Sequence, residues 1–285
     1  MNRVPVEHRL SNALTIDVED YFQVSALAPH IERSSWDSMP HRVERNVDRL
    51  LDLLTERGSH ATFFTLGWVA QRYPRLVRDI VARGHELASH GHAHLRASEQ
   101  SRAEFRSDVE GARRRLEDIG GVAVRGYRAP SFSIGHGNLW AFDCIAEAGY
   151  AYSSSVYPVR HDHYGMPDAP RFAYRTHNGL LELPITTTRF LARNLPAGGG
   201  GYFRLLPYRA SRWAIERVNR VDGQPAIFYF HPWEIDPEQP RIRGVSTRTR
   251  FRHYLNLDRT EARLDRLLAD FRWDRIDRVF EIDPA

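Results

Sequence analysis

Three histidines fall within five residues, His90, His92 and His94 in the stretch "LASHGHAHLR". His90 and His94 stand four apart, so both imidazoles can reach one ion from a helix face or from a strand-to-helix turn. An exposed polar loop is the plainer reading. A second cluster is acidic: "TIDVED" sets Asp17, Glu19 and Asp20 at the end of an apolar stretch. Carboxylates so close repel unless a cation or an arginine compensates them. Two histidines with one carboxylate are a common ligand set for catalytic zinc, leaving an open position for water. An acidic helix start would also explain "DVED". In "RGYRAP", Arg128 precedes an Ala-Pro step whose proline fixes the exit path. An arginine there can pair with a carboxylate and hold it ionised and oriented. His231 in "FYFHPWE" follows a strongly apolar run, which makes it either a general acid or base with a tunable pKa or a core histidine bonded to backbone.

These groups meet only if the elements carrying them share an edge. "NALTIDVEDYF" (12–22) reads as a buried strand running into carboxylates. "RVERNVDRLLDLLTERG" (42–58) has the spacing of an amphipathic helix stopped by Gly58. "HATFFTLG" (60–67) and "HELASH" (85–90) read as strands on either side of a helix over 73–84. Ser98 stands in a capping position ahead of a long helix over 98–121. "VRGYRAP", a helix over 138–150, "AYSSSVY", "LLELPI", a helix over 208–221 and the strand "AIFYFHP" continue the alternation. A charged helix around 259–271 and a terminal strand over 278–282 close the chain. Short strands alternating with helices imply a parallel α/β architecture. Asp17, His90, Arg128 and His231 all fall at or just past C-terminal strand ends, the edge that carries chemistry in α/β barrels. The chain reads as one domain over 1–285, with an insertion or loop region over 158–207 and a C-terminal extension from about 240 to 285.

Composition bounds the function class. The 285 residues are 42% hydrophobic and 11% aromatic, ordinary for a folded protein. All 40 basic residues are arginine, and the formal charge is +4. The arginines alternate with acids, as in "DRTEARLDRLLADFRWDRIDR", which fits solvated helix faces and excludes a nucleic-acid stripe. No apolar run approaches the roughly 20 residues of a membrane-spanning helix, and the first residues show no export signal, so a cytoplasmic location is expected. The single Cys144 excludes a disulfide framework or a multi-cysteine zinc site.

Taken in order, "TIDVED", "SHGHAH", "RGYRAP" and "FYFHPWE" resemble the polysaccharide deacetylases of carbohydrate esterase family 4, over about residues 12 to 282. "LTIDVEDYFQV", "YSSSVYPVRHDHYGMPDAPRF" and "GGGYFR" resemble the branch associated with exosortase (PEP-CTERM) exopolysaccharide loci. The resemblance implies a distorted (β/α) barrel with a C-terminal helical and strand extension. It implies a divalent metal ion, zinc before Co²⁺, Ni²⁺ or Mn²⁺, and an N-acetylated polysaccharide or oligosaccharide as substrate. By position, Asp17 would be the base, His231 the acid, Arg128 the group orienting the base, and His90 and His94 metal ligands. Val18 stands where the family's second aspartate binds metal, so the carboxylate ligand would be Glu19, which is favoured, or Asp20. Ser153, Ser154 and Ser155 replace a motif with an aspartate that tunes the acid, leaving Glu234 or Asp236 as substitutes. Tyr127, Pro130, Ser131 and Trp233 would contact substrate, with Tyr202 and Phe203 as further aromatic candidates. Rival expectations are a metal-dependent amidohydrolase of a cyclic amide or ureide, and a non-catalytic carbohydrate-binding relative. Oligomeric state is open.

Overall fold

A computed structural model describes residues 10–161, 164–191 and 193–282. The first nine of the residues read for an export signal (1–20), Asp162 and His163 of the "YSSSVYPVRHDHYGMPDAPRF" stretch, and residues 283–285 of the expected extension lie outside the described residues.

The first half alternates as the apolar periodicity dictates. Strand β1 (Ser11–Val18) leads through two 3-10 turns to helix α1 (Val43–Glu56), then β2 (Thr62–Thr65), α2 (Gly67–Arg72), α3 (Pro74–Ala82) and β3 (Glu86–Ser89). Helix α4 (Arg102–Gly120) follows, then β4 (Gly126–Tyr127), α5 (Ala141–Glu147) and β5 (Tyr152–Ser153). Ser101, not Ser98, caps α4: its hydroxyl accepts from the Glu104 amide while Glu104 reaches back to the Ser101 amide. Ser98 sits in a separate 3-10 turn over Ala97–Glu99. The reciprocal serine–glutamate spacing of three favours the later residue.

In the second half β6 (Tyr174–Arg175) and β7 (Leu181–Glu182) extend the sheet, while β8 (Thr187–Phe190) and β9 (Arg193–Pro196) pair as a separate hairpin. Helices α6 (Gly201–Leu205) and α7 (Tyr208–Arg217) precede β10 (Ile227–Phe230). The chain ends with α8 (Thr247–Tyr254), α9 (Leu257–Asp270), β11 (Arg272–Asp274) and α10 (Ile276–Val279). The terminal strand expected over 278–282 is therefore absent. Residues 272–274 make the pairing instead, and the apolar residues after them turn helical so that Ile276 fills the sheet's inner face.

Nine strands form one sheet in the order β10-β1-β2-β3-β4-β5-β7-β6, with β11 beside β1 and only β6 antiparallel. The ladder ends at β6 and β10, so the sheet is a curled half-barrel and not a closed one. The edge of β10 is covered by the glycine run: Tyr229 donates to Gly198 O, and Gly200 donates to Tyr229 O. Gly199 has φ +107 and lies so close to Tyr229 that a Cβ would strike its carbonyl oxygen at 2.1 Å, so only glycine fits.

Because strand side chains alternate between faces, each strand feeds two cores. Leu14, Ile16, Val18, Phe63, Leu87, Phe228 and Phe230 pack outward under the helices. Ala13, Phe64, Ala88, Ile227 and Tyr229 fill the inner face. The interleaved charges of the last long helix behave as solvated pairs: Arg49 meets Glu261 at 2.5 Å, and Arg57 meets Asp265 at 2.6 Å. No helix among the described residues is long and apolar enough to cross a membrane.

Candidate active site

The alternation that divides the core also collects the functional side chains. On β1 the inward residues are Ala13 and Thr15, which puts Asp17 inside at the strand end. On β3 Ala88 points inward, so His90 does too. On β10 Ile227 and Tyr229 point inward, so His231 follows. Arg128 is inward one residue past β4, and its neighbour Tyr127 is therefore outward. Asp17, Glu19, His90, His94 and Arg128 are all buried, and His231 retains 18% side-chain exposure.

The metal-type cluster is Glu19, His90 and His94, whose ligand atoms lie within 4.8 Å of one another. The connection from His90 to His94 is an irregular turn, not a helix. Gly91 (φ +72) reverses the chain, and His94 itself adopts φ +51, which brings its ring back to 5.3 Å from that of His90. Asp108 on α4 fixes this turn by accepting the His92 amide at 3.0 Å, and it fills the space a Cβ on Gly91 would need. His90 donates Nδ1–H to the Arg128 carbonyl at 2.9 Å, which leaves Nε2 with its lone pair free. Burial, and then the neighbouring charge of His94, hold the His90 imidazole well below its usual pKa and so neutral. Burial pushes the Glu19 carboxyl up, but His94, His231 and His90 together hold it below its ordinary value. Glu19 Oε2 is buried 2.8 Å from His94 Nε2 yet makes no hydrogen bond of acceptable angle. An orphaned carboxylate oxygen facing two imidazoles suits a divalent cation. The residues fit the group.

Asp20 stands apart from this cluster. Its carboxylate turns to the start of α1, accepting the amides of Arg42 at 2.6 Å and Val43 at 2.9 Å and that of Tyr21 at 2.8 Å. A carboxylate serving three backbone N–H groups at a helix N-terminus is already satisfied, so of the two expected alternatives only Glu19 faces the histidines.

Beside the cluster, Asp17 and His231 face each other, with Asp17 Oδ2 3.9 Å and Glu19 Oε1 3.6 Å from His231 Nε2. Arg128 donates to Asp17 Oδ1 at 2.6 Å and to Thr15 Oγ1 at 2.7 Å. Its Nε–H and one Nη2–H are taken by the carbonyl and hydroxyl of Ser154, and Ser155 accepts the Ala129 amide. The triple serine therefore fixes the arginine. The carboxylate that reaches His231 is Glu234, three residues on, which accepts from Nδ1 at 2.7 Å and from the His231 amide at 3.1 Å. The buried Arg204 holds its other oxygen at 2.5 Å. Asp236 points away, toward Arg42, Arg45 and Asn46. Burial alone would lower the His231 pKa, but Glu19, Glu234 and Asp17 raise it to about 9. Glu234 is correspondingly pulled down to about 2, because Arg204 and His231 outweigh its burial.

Four expected contact residues are buried away from the mouth. Tyr127 is fully buried with its ring against Phe105 and Tyr150, as its outward parity requires. Trp233 lies beneath the rim at 5% exposure, sandwiched between His231 and His253, and donates its indole N–H to Glu19 at 3.2 Å. Phe203 is core and Pro130 is buried. Tyr202 is half-buried. Ser131 is half-buried beside the site in a left-handed conformation (φ +55), its hydroxyl 2.6 Å from that of Ser25, and Phe132 is left-handed as well (φ +49). Two consecutive non-glycine residues there store strain that clusters at functional sites. Arg204 and Asp108 went unread in the sequence: an arginine 30 positions from its partner carries no local signal. Glu234 had one, the spacing of three that also closes a capping box.

Against known proteins, the polysaccharide deacetylase family profile matches residues 33–152, and that of a domain of unknown function, DUF3473, matches 154–281. A peptidoglycan-N-acetylglucosamine deacetylase of Bacillus cereus is 33% identical over 102 residues, 36% of this chain and 46% of that protein. A chitooligosaccharide deacetylase of a Bradyrhizobium species is 33% identical over 109 residues, 38% of this chain and 47% of that protein. The chain thus spans about half the length of the curated relatives it matches. A crystal structure described as a polysaccharide deacetylase from Mycobacterium smegmatis superposes with a TM-score of 0.61 at 22% identity, covering 94% of this chain and 86% of that one. That likeness shows the fold. Asp17 and Glu19 precede both matched segments, His90, His94 and Arg128 lie in the first, and His231 and Glu234 lie in the second. Residues 33–152 thus match a polysaccharide deacetylase domain, and residues 154–281 match the DUF3473 domain that follows it.

Proposed function

We propose that this protein is a metal-dependent hydrolase that removes N-acetyl groups from amino sugars of an exopolysaccharide or its precursor, working as a single catalytic domain. The observation that carries the reading is the pair Asp17 and His231, 3.9 Å apart, beside the Glu19, His90 and His94 cluster. Acetamide hydrolysis needs three things: a nucleophile at neutral pH, a place for the developing oxyanion, and a proton for a poor amine leaving group. Glu19, His90 and His94 would hold the divalent ion, which supplies a lowered water pKa and polarises the acetamide carbonyl. Asp17 presents Oδ2 as the proton acceptor, because Arg128 occupies Oδ1 and keeps the carboxylate aimed. His231 presents Nε2 to the departing nitrogen, because Glu234 occupies Nδ1 and holds the ring charged. The strained backbone at Ser131 supplies an N–H for the oxyanion. Named relatives acting on peptidoglycan N-acetylglucosamine and on chitooligosaccharides support the amide bond of an N-acetylated sugar as target.

The test is acetate and free-amine release by the metal-loaded protein from chitooligosaccharides, peptidoglycan fragments and N-acetylated exopolysaccharides, with a cyclic ureide as comparison. Equimolar acetate and amine from a glycan is expected. Ureide hydrolysis without acetate release, or glycan binding without turnover, would overturn the reading.

A further inference from the structure

The β8–β9 hairpin carries an exposed apolar end that folding does not explain. Tight turns ordinarily take Gly, Asn, Asp or Pro, which tolerate their backbone angles and face water. Here the first of the two turn residues is Leu191, 82% exposed and in a left-handed conformation (φ +47), which a bulky side chain disfavours. Phe190 beside it is 51% exposed and rests its ring edge-on against Trp213 of α7, itself 44% exposed. Three large apolar side chains thus gather in water on one projection. Such patches mark interaction surfaces.

The surrounding charge says what covers it. Arg189 and Arg193 flank the turn and Arg209 stands one helical turn before Trp213. All three are exposed, and none has an ion-pair partner among the described residues. The acid on this stretch of α7, Glu216, is taken by Arg212. A second copy of the same patch would set these unpaired arginines against each other, which disfavours self-association. Protruding aromatic and leucine side chains ringed by arginine fit the boundary of an anionic bilayer, where apolar tips enter the acyl region and cations meet headgroups. We propose that the hairpin tip and Trp213 form a peripheral membrane contact selective for anionic lipid. The hairpin is attached through the glycine run to Tyr229, two residues before His231, so the contact is rigidly tied to the His231 edge of the sheet.

The test is co-sedimentation of the full chain with vesicles of phosphatidylcholine alone and of phosphatidylcholine mixed with phosphatidylglycerol. Binding to the mixed vesicles only, weakened by salt, is expected. Phe190→Ser with Leu191→Ser keeps every charge and should reduce partitioning about tenfold or more. Arg189→Glu with Arg193→Glu should reduce it about 25-fold or more, taking about fivefold per arginine. Circular dichroism and acetate release check that each variant is folded. Equal binding by the apolar variant would show generic charge attraction and overturn the proposal. So would no binding by the folded wild type, or a dimer that this variant dissolves.

Discussion

Glu234→Gln isolates the support of the acid histidine. The substitution keeps the shape and an acceptor for His231 Nδ1 but removes the charge. A hydrogen bond to an ionised partner is worth about 1.5–3 kcal/mol against about 1 for a neutral one. The protonated ring should therefore lose on the order of 1.4 kcal/mol, or about one pKa unit. The competent His231 is the protonated one, so activity holds below its pKa and falls as pH rises through it. Glu234 is one of the carboxylates that raise the His231 pKa, so the alkaline limb of kcat should move down by about one unit. Buried Arg204 also loses its counter-charge, which costs about 3 kcal/mol of stability. The assay is acetate release across neutral to alkaline pH, well below the variant's melting temperature. A structural defect alone would lower kcat equally at every pH. An unmoved alkaline limb in folded variant would refute the role assigned to Glu234.

Asp17→Asn should cut kcat by about 10²–10⁴-fold while metal content, measured by elemental analysis, stays at the wild-type level. Ser154→Ala removes the hydroxyl that accepts from buried Arg128, and should cost about 1–3 kcal/mol in chemical denaturation. Burial lowers His85 to about 4 and His253 to about 3. A depressed histidine binds its proton more readily when unfolded, so stability is intact above the unfolded value of 6.5 and falls as pH drops below it. At pH 5 each should cost on the order of 2 kcal/mol, measurable as a lower denaturant midpoint than at pH 7.

The strand-end residues were legible in the sequence because a period of two fixes direction. Once "TIDVED", "ELASH" and "FYFH" are strands, Asp17, His90 and His231 must share the inner face. The same rule, applied to Tyr127, places it outside with Phe105, and its position one residue before Arg128 already carried that information. Asp20 was harder: its choice of the α1 N-terminus over the histidines depends on where residues 42 and 43 arrive, a tertiary fact. The support of the acid histidine was half legible. Glu234 lies three residues from His231 within one turn, whereas Arg204 reaches it from a distant helix. The end of the chain misled because the stretch "RVFEI" over 278–282, with three apolar residues in five, fits a strand or a short helix equally well, and the pairing was already made by residues 272–274.

The most direct measurement is acetate release after removal of divalent metal with a chelator, followed by stepwise return of Zn²⁺, on wild type and His90→Ala side by side. Wild type should lose turnover on chelation and regain it at one equivalent of ion per chain, while His90→Ala should neither bind the ion tightly nor turn over. Undiminished acetate release by chelated wild type, or stoichiometric metal binding by His90→Ala, would contradict the cluster at the centre of this site.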